Sequence, residues 1–255
     1  MQTTGNTLLV TGGGSGIGYE LAKAFLALGN EVIIAGRRES VLKQAVEANP
    51  GLQHIVLDIT DAADTQRVAE HLIARHPRLN GVIHSAGIMR TESLREGATA
   101  LEDTVATNLL GPIRLDGWLL PHFLKQPHAT IVTVTSGLAF LPLALTPSYC
   151  ATKSALHSYT ESLRYQLKDT AVRVHELAPP YVQTELTGER QANDPNAMPL
   201  KAFIEEVMAI FQQSPEADEI LVERVKPLRY AEQNGAYGAF FKDFNDQMAA
   251  AWQST

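Results

Sequence analysis

Tyr149 and Lys153 stand four residues apart in Pro-Ser-Tyr-Cys-Ala-Thr-Lys-Ser, with Ser136 shortly upstream. On a helix, positions i and i+4 share a face, so the ammonium can approach the phenol oxygen. A free phenol titrates near pH 10, too high for proton exchange at neutral pH. A positive charge at ~4 Å, with an effective dielectric near 20, favours the phenolate by about 4 kcal/mol. At about 1.36 kcal/mol per unit this moves the tyrosine most of the way to neutrality. The pair therefore reads as a tuned general acid/base, with Lys153 expected to hold the Tyr149 pKa down. Cys150 borders the tyrosine, but adjacent helix positions point about 100° apart. A small filler on the next face is its bland reading, a nucleophile the sharp one.

Upstream, Thr-Gly-Gly-Gly-Ser-Gly-Ile-Gly (Thr11 to Gly18) follows an apolar run and opens a helical pattern. That is the context of a phosphate-binding turn, where backbone N–H groups at a helix N-terminus meet an anion. Gly12, Gly16 and Gly18 are spaced G-x-x-x-G-x-G, with Ser15 and Ile17 between them. Glycine is required where a Cβ would block a close pyrophosphate or force an unfavourable φ. The second strand ends in Ala-Gly-Arg-Arg, placing Gly36 where an NAD enzyme usually carries an acid for the ribose diol. Arg37 and Arg38 follow, and guanidinium forks suit a 2′-phosphate. NADP is thus expected over NAD, against the bland reading of a solvated turn. Asp58, next to Ile59, could accept from an adenine amino group or cap the following helix.

These residues need a scaffold. Short β-branched runs at Thr7–Val10, Glu31–Ala35, His54–Ile59, Gly81–Ser85, Thr130–Thr135 and Val172–Leu177 predict strands. Amphipathic stretches at Gly16–Leu28, Glu39–Ala48, Ala62–Arg75, around Ala100–Leu124, and Ser148–Leu167 predict the helices between them. Strands apolar on both faces, alternating with helices, imply an α/β fold: a doubly wound, Rossmann-type parallel sheet with helices on both faces. Neither linker nor repeat breaks the chain, so residues 1–255 read as a single domain. From 184 to 226 a polar, turn-rich loop and helices are expected over the substrate. A final aromatic helix is expected at about 230–250. Phe203, Ile204, Val207, Met208 and Phe211 recur at helical spacing, as do Tyr237, Phe240, Phe241, Phe244 and Met248. Core packing and a subunit interface both account for these stripes. Ser214-Pro215-Glu216 has the pattern of a helix start.

Composition narrows the class. The chain is 255 residues, 45% hydrophobic and 19% charged, with net charge −7. That balance argues against nucleic acid or an anionic membrane as partner. No apolar stretch approaches the ~18 residues of a membrane span, and no secretory leader is evident. The single cysteine excludes an intrachain disulfide and a multi-cysteine metal site. No metal is expected, and a reducing cytoplasm fits best.

Taken in order, these motifs resemble the short-chain dehydrogenase/reductase family, single-domain branch of ~250 residues. The likeness spans roughly residues 5 to 186. His-Ser-Ala-Gly (His84 to Gly87) sits where the family commonly has Asn-Asn-Ala-Gly, so Ser85, Ala86 and Gly87 are implied to face the cofactor. Asn108, Ser136, Tyr149 and Lys153 match its catalytic tetrad. Pro-Pro-Tyr-Val-Gln-Thr resembles its nicotinamide segment, implicating Pro179, Val182 and Thr184. The resemblance implies that Ser136 holds the substrate oxygen, Tyr149 exchanges its proton, and Lys153 also holds the nicotinamide ribose. The Asn108 carbonyl, freed by Pro112, is implied to carry a relay water. His84-Ser85 departs from the family pattern, with His84 either a structural substitute or a base. Pro180 replaces a glycine. Nothing matches the family's closing segment, so a seventh strand is not expected, and a homodimer is favoured over a tetramer. The ending is similar to that of reductases from cell-wall D-alanylation operons.

The loop Gly-Leu-Ala-Phe-Leu-Pro-Leu-Ala-Leu-Thr-Pro after Ser136, with Tyr181 and Leu186, reads as an apolar substrate pocket or as core. Arg90 could greet an acidic substrate group or simply face solvent. The leading expectation is an NADP-dependent oxidoreductase acting on a small carbonyl or alcohol. The rivals are a non-catalytic NADP(H)-sensing protein and a sugar-nucleotide epimerase or dehydratase.

Overall fold

Apolar runs along the chain pair into one parallel sheet in the computed structural model, which describes residues 1–253. Its strands are β1 (Thr7–Thr11), β2 (Glu31–Gly36), β3 (Leu52–Val56), β4 (Leu79–His84), β5 (Ala129–Val134), β6 (Val172–Leu177) and β7 (Glu219–Ile220). They lie in the order β3-β2-β1-β4-β5-β6-β7. The winding reverses between β1 and β4, and a crevice opens there at the strands' carboxyl ends. The three strands beside this switch point, β1, β4 and β5, are buried throughout, as near-continuous apolar sequence requires.

Each face carries its own apolar layer. On one, α1 (Gly16–Ala27), α2 (Glu39–Ala48) and α8 (Leu200–Gln213) pack Phe25, Leu42, Phe203 and Phe211 against Leu8, Val10 and Ile34. On the other, α3 (Ala62–Arg75), α5 (Gly111–Phe123) and α6 (Pro147–Leu167) pack Leu72, Leu115, Phe123 and Leu163 against Leu9, Val82 and Ile131. The short α4 (Leu101–Val105) reaches α5 through a π-turn, Ala106–Leu110, in which the Gly111 N–H bonds the Ala106 carbonyl.

The α8 stripe is core. Phe203, Val207 and Phe211 are fully buried within this chain, each worth about 2 kcal/mol and closed to any subunit partner. Three expectations need correction. A seventh strand exists: Glu219–Ile220 pairs with Glu176–Leu177, too short to signal itself. Ser214 ends α8 instead of starting a helix, its N–H bonding the Ile210 carbonyl. The third strand spans 52–56, not 54–59, because the chain leaves the sheet at Leu57, whose N–H meets the Gly36 carbonyl at 3.0 Å.

Candidate active site

A cleft of about 630 Å³ runs along the switch point, from Arg37 and Arg38 at one end to Ser136, Tyr149 and Lys153 at the other. That volume is ample for a dinucleotide-sized ligand. Its floor is the glycine turn between β1 and α1. Gly12 and Gly16 have φ of +66° and +56°, conformations that any side chain would strain. A Cβ on Gly12 would also meet the Ala86 backbone nitrogen at 2.8 Å, so this turn packs directly on the segment after β4. Ser15 caps α1 without spending its hydroxyl on the helix, and the first α1 N–H groups remain available to an anion.

Most expected cofactor residues line this cleft: Gly12, Ser15, Gly16, Ile17, Arg37 and Arg38, then Ile59, Ser85, Ala86 and Gly87, and finally Pro179, Val182 and Thr184. Two do not. Gly18 lies behind the turn, where a Cβ would sit 2.7 Å from the Gly12 carbonyl oxygen, so it is a packing glycine. Asp58 Oδ1 accepts from the Thr60 N–H and hydroxyl (3.0 and 2.7 Å). Those bonds hold its pKa down, helped by Arg37 nearby. Asp58 does not cap α3 either, because Asp61 takes that place and accepts from the Ala63 and Asp64 N–H groups. Arg37 and Arg38 are exposed and form no ion pair among the described residues.

At the opposite end of the cleft from the arginines, Ser136 leaves β5 in extended conformation and its hydroxyl accepts from the Leu138 N–H at 3.1 Å. Tyr149 and Lys153 emerge from the first turns of α6, which Pro147 starts. The lysine ammonium lies 5.6 Å from the phenol ring centre and donates to the Val134 carbonyl at 2.6 Å. Both side chains are buried. Burial pushes Tyr149 up to about 12, while a hydrogen bond with Ser136 pulls the other way. Burial also pushes Lys153 down to about 8, with the Glu176 charge opposing. The expectation that Lys153 holds the phenol pKa down is therefore overturned. Desolvation penalises both charged forms, and it is the largest cause at Tyr149, with Lys153 not among the groups that act on the phenol.

Asn108 joins the group from behind, through its side chain. Its amide oxygen accepts from the Ile88 N–H (2.9 Å) and its amide nitrogen donates to the Ile88 carbonyl (2.9 Å). It thereby clamps the loop after β4. A Cβ on Gly87 would lie 3.5 Å from that amide oxygen and 3.8 Å from the Lys153 nitrogen, so Asn108, Gly87 and Lys153 adjoin.

The departures from the family pattern resolve structurally. His84 is buried against Asp116 at 2.7 Å, and Asp116 also accepts from the Tyr159 hydroxyl at 3.0 Å. This trio ties β4 to α5 and α6 and stands apart from the cleft lining. Cys150 is buried among Leu143 and Thr146, its thiol pushed up by burial. It is not poised as a nucleophile. Arg90 pairs with Asp103 at 2.8 Å on the surface.

Sequence reading missed two features. Gln191, in the short α7 (Glu189–Asn193), is buried and bonds Val182, Thr184 and Thr187, folding the polar loop over the cleft. The final helix α10 (Tyr237–Gln253) packs Phe244 and Met248 against the small cluster of Leu143, Tyr149 and Cys150. Asn245 fixes it there, accepting from the Ala144 N–H (2.6 Å) and donating to the Pro142 carbonyl (3.1 Å). The aromatic ending therefore closes on the loop after Ser136.

A switch-point cleft floored by a glycine turn and ending in Ser136, Tyr149 and Lys153 is the arrangement of a dehydrogenase. The family model for short chain dehydrogenases matches residues 6–195, and the chain belongs to that family of oxidoreductases. The uncharacterized oxidoreductase DltE of Bacillus subtilis is 41% identical over 253 residues, covering 97% of this chain and 99% of the relative. That similarity continues past residue 195, through the ending. Two solved folds agree. A short chain dehydrogenase from Burkholderia cenocepacia in complex with NADP superposes with a TM-score of 0.81 at 24% identity, covering 94% of this chain and 99% of that one. A short chain dehydrogenase/reductase from Burkholderia phymatum in complex with NAD gives 0.79 at 19% identity, covering 92% and 95%. No described helix is long and apolar enough to cross a membrane.

Proposed function

We propose that this protein is an NADP-dependent reductase of a small, largely apolar carbonyl compound, or the corresponding alcohol dehydrogenase, with Tyr149 as general acid/base. The observation that carries the reading is the continuity of one cleft from two unpaired arginines to the buried Ser136–Tyr149–Lys153 group. The chain's residues fit a nicotinamide dinucleotide. Gly12, Ser15 and Gly16 would take the pyrophosphate, Arg37 and Arg38 the 2′-phosphate, and Pro179, Val182 and Thr184 the nicotinamide end.

When bound, the reduced nicotinamide supplies the hydride. The protein's own part is acid/base and orientation. Ser136 donates to the substrate oxygen and holds it beside the phenol. Tyr149, with a pKa near 12, stays protonated at physiological pH and is therefore a ready proton donor for reduction. Lys153, near 8, is about nine-tenths charged at pH 7. Its ammonium, held by the Val134 carbonyl and 5.6 Å from the phenol ring centre, would hold the nicotinamide ribose. Burial of both groups excludes water and strengthens their mutual field at the moment of proton transfer.

The apolar character we assign to the substrate rests on the cluster that Leu138, Leu143 and Leu145 form beside Tyr149, with Phe244 and Met248 packed against it. Exposed Leu110 and Trp118 along α5 and its entry turn, with Tyr165 on α6, favour a homodimer. The direct test is a panel of aldehydes and ketones assayed with NADPH and NADH at the nicotinamide absorbance. NADPH-dependent turnover of apolar members is the expected result. Tight NADPH binding with no turnover across a broad panel would instead support a sensor.

A further inference from the structure

Behind the catalytic group lies a carboxylate that hydride transfer does not call for. Glu176, on β6, is fully buried, and such a charge persists only when its surroundings satisfy it. One oxygen accepts from the Thr135 hydroxyl at 2.6 Å, and the other meets His157 Nδ1 at 2.7 Å. Both partners adjoin the catalytic residues. Thr135 immediately precedes Ser136, and His157 stands one helical turn beyond Lys153. Two successive residues at the end of β5 thus each hold a different group, Val134 the Lys153 ammonium and Thr135 Glu176, and Ser136 follows directly.

We propose that Glu176 is a positioning residue of this active site, anchoring the Thr135–Ser136 strand end and supplying the countercharge that keeps Lys153 protonated. The inference rests on Lys153 being part of the catalytic group. Its electrostatic support is that the Glu176 charge raises the lysine's proton affinity against a burial cost that has already brought it to about 8. The neighbouring charges are His157 and Lys153 from α6, Glu219 from β7, and Arg229 from α9 (Lys226–Arg229). Glu161 lies 3.7 Å from the far nitrogen of His157. Arg229 neutralises Glu219 at 2.6 Å and lies 4.5 Å from the Phe140 ring centre. Phe140 in turn meets His157 edge-on at 4.8 Å. Glu219 is paired to Arg229, so the cations left to Glu176 are His157, whose pKa it raises, and Lys153, whose proton affinity it also raises.

The test is Glu176→Gln, which keeps shape and an acceptor for Thr135 while removing the charge. Removing a countercharge of this kind moves a lysine down by about one unit. The high-pH limb of kcat/KM should then fall from about 8 to about 7. Reductase activity would drop about twofold at pH 7 and about fivefold at pH 8, with little change at pH 6. Glu176→Asp, which keeps the charge, should return the limb towards 8. A uniform loss at every pH, or an unmoved limb, would overturn the proposal and leave Glu176 a folding element. Should the glutamine variant not fold, NMR titration of the Lys153 amine in wild type and in Glu176→Asp decides the matter without turnover. The aspartate, one methylene shorter, draws the charge back and should lower the midpoint by a few tenths of a unit from about 8, and an unmoved midpoint would refute the proposal. That arm also separates this inference from the reductase reading, because it needs no substrate.

Discussion

Replacing Arg37 and Arg38 with alanine tests the cofactor preference, and its size can be worked from the structure. Both guanidinium groups are exposed at the end of the cleft far from Ser136 and carry no ion-pair partner among the described residues. Removing them therefore unburies nothing and leaves no carboxylate orphaned. A phosphate charge at ~4 Å from a guanidinium gains about 1 kcal/mol in bulk water and about 4 kcal/mol at an effective dielectric of 20. At an exposed position the lower part of that range applies, so each arginine is worth about 1–2 kcal/mol. The double variant should thus bind NADPH roughly 30- to 1,000-fold more weakly. NADH, which lacks the 2′-phosphate, should change by less than about threefold. Nicotinamide fluorescence titrations of both dinucleotides give the two constants directly. Because these charges are exposed, the NADPH loss should shrink as salt rises past 0.1 M, where the Debye length is about 10 Å. Equal losses for the two dinucleotides, or a salt-independent effect, would refute a phosphate-binding role.

Two further predictions concern the fold and the pocket. His175 is buried, donates to the Ala217 carbonyl at 2.7 Å, and is pushed by burial down to about 4. With its folded value below the unfolded one near 6.5, stability is intact above pH 6.5 and declines as pH falls through 4. About 2 kcal/mol should be lost between pH 7.5 and 5. Urea unfolding at the two pH values measures it, and His175→Gln should remove most of the difference. Phe244→Ala should open the wall beside Leu143 and Tyr149, raising kcat/KM for bulky over small carbonyls by about tenfold while leaving NADPH affinity unchanged. An unaltered substrate profile would show that α10 plays no part in selection.

How much of this was legible in the sequence follows from range of interaction. β1, β2, β4, β5 and β6 are β-branched runs whose periodicity survives alone, and the glycine turn and the Tyr149–Lys153 pair announce themselves by spacing, whereas Asn108 was legible only through the family resemblance. β7 is two residues paired at the sheet edge, stabilised by β6 and not by its own composition. Gln191 sits in a polar stretch, and its burial depends on Val182 and Thr184 folding back over it. Glu176 passed as one residue of an apolar strand, since only the packed structure brings His157 and Thr135 to it. The largest error was electrostatic. Helical spacing predicts that Lys153 and Tyr149 share a face, but it carries no information on how far water is excluded, and exclusion set both proton affinities.

The central claim is that the Tyr149 hydroxyl delivers the proton as the substrate carbonyl is reduced. Tyr149→Phe removes that hydroxyl and little else. Its test is single-turnover oxidation of bound NADPH by a carbonyl substrate, alongside a dinucleotide titration. The account predicts a rate lowered by about 10²- to 10⁴-fold with NADPH affinity within about twofold of wild type. A phenylalanine variant that still oxidises NADPH at the wild-type rate would contradict it.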